Sequence, residues 1–113
     1  MAEYGILQND VVVRVNVWTW GRWYTAKHRY IARTKVGETC ISTTFLGVNY
    51  GTVDDKPTWF ETLCLCGICK GTIQRYSTLE EATLGHERMV AFVKEHQMPE
   101  EKLSSTTSFV TRE

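Results

Sequence analysis

The clearest repeat of apolar residues at helical spacing in this chain lies towards the C-terminal end. Leu79, Ala82, His86, Met89, Val90 and Val93 fall on one stripe. Ahead of them, Ser77-Thr78-Leu79-Glu80 is a capping-box pattern in which a hydroxyl accepts from the first free N–H groups and Glu80 reaches back. Thr78 with Glu81 offers the same arrangement one residue on, and Pro99 marks the stop. A lone amphipathic helix must lay its stripe on something, so the rest of the chain has to supply a sheet.

The rest of the chain reads that way. Val11, Val13, Val15 and Val17 alternate with Val12, Arg14 and Asn16, the period of a half-buried strand. Trp18 to Tyr24 keeps strand-forming aromatics around Gly21, which fits a turn at Gly21-Arg22 or a longer loop to His28. Arg29 to Val36 alternates again, with Tyr30, Ala32, Thr34 and Val36 on one side and Arg29, Ile31, Arg33 and Lys35 on the other. Gly37-Glu38 turns into a strand over Thr39–Gly47, with Ile41, Thr43 and Phe45 opposite Cys40, Ser42, Thr44 and Leu46. A long loop to Pro57 precedes strands over Thr58–Cys66 and Thr72–Tyr76, joined by a turn at Cys66–Gly71. The expected fold is α+β: a meander-like antiparallel sheet of about five strands packed by one C-terminal helix. Residues 1–98 make the single domain, and the polar stretch 99–113 reads as a flexible tail.

With 113 residues there is room for one core, and 42% hydrophobic content excludes a disordered chain. No apolar run reaches the roughly 18–20 residues that span a bilayer, and the first ten residues lack a signal-peptide pattern. The expected compartment is the cytosol, where four free thiols are tolerable and disulfides are not expected. The net charge of zero hides an asymmetry. From Val11 to Gly37 there is no acidic residue but there are Arg14, Arg22, Lys27, Arg29, Arg33 and Lys35, leaving the remainder at −6.

The segment from Ile41 to His86 carries Ser42-Thr43-Thr44-Phe45-Leu46-Gly47, Phe60-Glu61-Thr62, Arg75-Tyr76-Ser77-Thr78, Glu80-Glu81-Ala82 and Gly85-His86-Glu87. In order and spacing these resemble a family of small bacteriophage and prophage proteins of unassigned function. The likeness covers under half of the chain. Asn49-Tyr50 stands where that family often has an Asp-His pair, which removes a histidine that could serve as ligand or base. Leu63, Cys64, Cys66 and Gly67 replace its usual Met, Phe and glycines. The resemblance implies a phage origin and no chemistry.

Four cysteines, Cys40, Cys64, Cys66 and Cys69, match in number what a structural zinc site needs, and the Cys66–Cys69 turn looks like a zinc knuckle. A second C-x2-C is missing, and Cys64 and Cys66 would share one strand face as small core residues, so packing is the favoured reading. His86 shares the helix stripe and reads as a hydrogen-bonded core histidine. No nucleophile motif, phosphate loop or metal-protease signature occurs, so neither an enzyme nor a cofactor is expected.

The functional lead is the basic, aromatic segment: Trp18, Trp20, Arg22, Trp23, Tyr24, Arg29 and Arg33, with Tyr30 and Lys27 among them. Aromatic faces stack on bases and guanidinium forks hold phosphates, while tryptophan and arginine also anchor protein interfaces. The alternative is that the tryptophans only fill the core while the charges keep an edge strand soluble. The expected function is therefore a non-enzymatic phage-encoded protein binding a host protein or complex, anti-defence being one such role. Nucleotide or nucleic-acid binding is the alternative, and a zinc-stabilised adaptor comes third. A homo-oligomer is compatible with the split charge; a membrane partner is not expected.

Overall fold

The computed structural model describes residues 3–49, 51–53 and 55–96. In chain order these form β1 (Tyr4–Gln8), β2 (Val11–Val15), α1 (Val17–Trp23), α2 (Ala26–Arg29), β3 (Tyr30–Val36), β4 (Thr39–Phe45), β5 (Thr52–Val53), β6 (Lys56–Pro57), β7 (Phe60–Cys66), β8 (Ile73–Tyr76) and α3 (Leu79–His96). The fold is α+β. An antiparallel sheet of order β3-β4-β7-β8 carries α3 on one face, as the amphipathic stripe demands. Pro99 and the tail over 99–113 lie outside the described residues.

Two small hairpins supplement this sheet, so the single meander expected from the sequence is divided. The β1–β2 hairpin turns on Asn9 and Asp10, both left-handed at φ 49° and 65°. Such a two-residue turn matches the twist of its strands, and Asn and Asp tolerate it better than most residues. The Gly5 N–H donates to the Gly47 carbonyl at 2.9 Å, tying β1 to the chain just beyond β4. Residues 52–57, expected as plain loop, contain the short β5–β6 pairing.

The stretch from Trp18 to Tyr24, expected to keep strand-forming aromatics around a turn or to form a longer loop, is instead helical over Val17–Trp23, with Tyr24 as its C-terminal cap. Asn16 caps it, its side chain accepting from the Thr19 N–H at 2.9 Å. Trp20, Trp23 and Tyr24 stand at i, i+3 and i+4, so the helix puts three rings on one side, where burial outweighs their strand propensity. Trp18 and Arg22 are left on the opposite side.

Two register shifts decide which side chains share a face. Tyr30 pairs with Thr44 and Ala32 with Thr43, so Ile31 is the extra residue of a bulge. Tyr30 is thereby moved off the side shared by Ala32 and Thr34, correcting the simple alternation, while Ile31 packs against the core. A second shift pairs Cys40 with Cys66 but Ile41 with Cys64, making Leu65 the extra residue. Cys64 and Cys66, expected on one face, are separated by it.

The core between sheet and helix has two clusters. Ile41, Cys64, Cys69, Met89 and Val93 form one, and Phe45, Trp59, Phe60 and Ala82 form the other. Between them lies a polar chain. His86, only 5% exposed, meets Thr43 Oγ1 through Nδ1 at 2.7 Å and Thr34 Oγ1 through Nε2 at 2.8 Å. Thr43 in turn meets Thr62 at 2.6 Å. His86 is therefore the hydrogen-bonded core histidine that its place on the stripe implied. The helix starts as the second capping pattern foresaw: Glu81 N–H donates to Thr78 Oγ1 at 3.1 Å, and the Glu81 carboxylate accepts from the Ser77 and Thr78 N–H groups.

Cys64 and Cys69 are joined by a disulfide, contrary to the expectation of free thiols. The turn after β7 folds Cys69 back under α3, bringing the two α-carbons to 5.6 Å, within bonding range. This pairing removes half of the thiolates that a four-cysteine zinc site would use. Cys40 and Cys66 remain free thiols opposite each other on β4 and β7. A hydrogen bond with Cys66 raises the Cys40 pKa and partial burial adds to it, with Lys35 and Arg33 pulling the other way.

Candidate binding face

A single helix can cover only one face of a sheet. The side chains of β3, β4 and β7 that point away from α3 line a concavity of about 490 Å³. Ser42 and Thr44 of β4 and Leu63 and Leu65 of β7 form its floor, while Trp20, Tyr24, Arg29, Tyr30 and Arg33 stand along one side. The bulge at Ile31 supplies Tyr30, which is 46% exposed there. Its ring lies 4.9 Å from the Arg33 guanidinium carbon and 5.6 Å from that of Arg29, both cation–π distances. Arg29 also lies 5.9 Å from the Tyr24 ring.

Tyr24 is anchored where the concavity meets the core. Its hydroxyl donates to the Phe45 carbonyl at 2.9 Å, and its ring stacks on Trp20 with centroids 5.0 Å apart. Trp20 also meets Tyr4 at 5.0 Å. Its indole N–H is buried and, among the described residues, finds no acceptor. Both rings press on the backbone at Gly47, where a Cβ would stand 2.5 Å from Trp20 Nε1 and 2.7 Å from the Tyr24 ring.

The aromatic, basic segment therefore divides in three. Trp20, Tyr24, Arg29 and Arg33 come together at the concavity. Trp23 turns inward, edge-on to Phe45 at 5.7 Å and stacked on His28 at 4.3 Å. The His28 Nδ1–H donates to the Trp23 carbonyl at 2.6 Å, so His28 clamps this turn. Trp18 is 80% exposed on the outer side of α1, with Arg22 one turn further on. The fourth indole, Trp59, is buried beneath the β1–β2 hairpin, close against Gly5.

The floor residues Ser42, Thr44, Leu63 and Leu65 are not among the candidate site residues that the sequence points to. The available signal was the alternation on β4: once Ile41, Thr43 and Phe45 go under the helix, their neighbours face the side with no second helix. Glu61 also lines the face, where its carboxylate accepts from Arg75 Nε at 3.1 Å. Among the described residues no group of three or more His, Cys, Asp or Glu side chains is placed to hold a metal ion. No described helix is long and apolar enough to cross a membrane. Comparison with known proteins returned no matching family model, curated protein or solved structure.

Proposed function

We propose that this chain is a non-enzymatic, phage-encoded binding protein that docks on a host protein or complex in the host cytosol. The observation that carries the reading is Trp18. A short helix commits Trp20 and Trp23 to intramolecular contacts and leaves a third indole almost fully in water, beside the arginine one turn on. Large exposed rings are costly to hydrate, and tryptophan and arginine are both among the residue types enriched at the energetic centres of protein interfaces. The basic character of the segment suits an acidic patch on the partner. The phage assignment rests on the residue pattern between Ile41 and His86. The Cys64–Cys69 bond is not required for this reading, because in a reducing cytosol the pair stands as two small apolar thiols in the same cluster.

Replacing Trp18 by a photo-crosslinking phenylalanine analogue in the host bacterium tests the reading. One discrete adduct is expected, lost when Arg22→Glu is added. A yield no greater than that from the same analogue at exposed Lys94 would remove the proposal.

A further inference from the structure

Two guanidinium groups of like charge converge on one ring at the uncovered sheet face. Arg33 and Arg29 both approach Tyr30, and among the described residues neither forms an ion pair. The carboxylate of Glu61, which lines the same concavity, is already engaged by Arg75. The face thus combines an unmatched positive pair, ring surfaces, the hydroxyls of Ser42 and Thr44, and an apolar floor at Leu63 and Leu65. An anion covalently attached to a flat ring uses all four features: guanidinium forks bind the anion, and aromatic and apolar surfaces take the ring. A concavity of about 490 Å³ lies within the usual range for small-molecule sites.

We infer that this concavity binds a free nucleoside phosphate, with the phosphate between Arg29 and Arg33 and the base over Leu63 and Leu65 beside Tyr30. The bulge at Ile31 makes the site, since simple alternation would turn Tyr30 towards α3. The inference does not depend on partner docking through Trp18. Trp18 and Arg22 do not line the concavity, so either reading can fail alone.

Isothermal titration of the full chain with ADP and with GDP tests it, with inorganic phosphate, adenosine and a short single-stranded oligonucleotide as separate arms. One nucleotide per chain is expected, with phosphate or adenosine alone weaker by at least about tenfold. Arg29→Ala with Arg33→Ala should weaken binding by a similar factor of about ten, because both phosphate forks are gone. Trp18→Ala should leave binding unchanged. Arg33→Lys keeps the charge and stem but loses the fork, so a several-fold loss is expected even if the double variant melts early. The inference is overturned by an absence of heat with either nucleotide at millimolar concentration. Unchanged binding in a folded double variant, or binding confined to the oligonucleotide, overturns it equally.

Discussion

His86 shows how one residue can set a condition on the whole fold. Burial lowers its pKa from the ordinary histidine value, against a smaller upward pull from Glu87. Charging it would make both ring nitrogens donors, so the threonine hydroxyl that donates to the neutral ring would have to reverse and accept. In the unfolded chain the imidazole titrates near its usual value of about 6.5. The unfolded state therefore binds the proton more readily than the native one. The resulting stability is present above that value and is lost as pH falls through the lower native pKa. Urea midpoints should drop between neutral pH and pH 5, and His86→Gln should flatten that dependence. Gly47 makes the second prediction at this scale. Its φ is +73°, and a Cβ there would meet both Trp20 and Tyr24. Gly47→Ala should cost about 2 kcal/mol or more in thermal unfolding, combining backbone strain with displaced rings.

At the level of elements, two bulges and a cap do most of the specifying. A strand sequence gives the period of its side chains, but one extra residue reverses every assignment on its far side. Leu65 does this in β7, sending Cys64 under α3 and Cys66 towards Cys40. The disulfide then closes a short loop between the end of β7 and its turn. For a loop this short the chain-entropy contribution is about 2 kcal/mol. Cys64→Ala with Cys69→Ala should lower the melting temperature under oxidising conditions. The wild-type protein, reduced and alkylated, should melt in the same lower range. Cys40→Ser should leave the melting temperature nearly unchanged, since Cys40 is outside that bond.

Across the whole molecule, a two-layer fold with one long helix has one sheet face that nothing in the described chain covers with a second layer. The aromatic residues are distributed by that asymmetry: Trp59 inside, Trp20 and Trp23 at the seam, Trp18 outside. Acrylamide should therefore quench a red-shifted minor part of the tryptophan emission with ease and the remainder poorly. Trp18→Phe should abolish the easily quenched part while leaving the unfolding free energy within about 0.5 kcal/mol of wild type, as for an exposed side chain.

The features governed by local periodicity and local chemistry are legible in the order of the residues. These are the helix from Leu79 with its Thr78–Glu81 cap, the β3–β4 turn at Gly37-Glu38, and the inward row Ile41, Thr43 and Phe45. Each follows from interactions a few residues apart, so the pattern is written where the structure forms. The i, i+3, i+4 spacing of Trp20, Trp23 and Tyr24 was also present, but strand propensity obscured it, because the burial that favours a helix depends on Phe45 and Tyr4. The remaining features arise only once the elements pack against one another. The bulge positions and the division of the basic, aromatic segment depend on residues distant in sequence meeting in register. Cys64 and Cys69 are only five residues apart, but the register of β7 against β4 decides which thiol turns under α3 towards Cys69. No window along the chain contains the partner whose contact tips those choices.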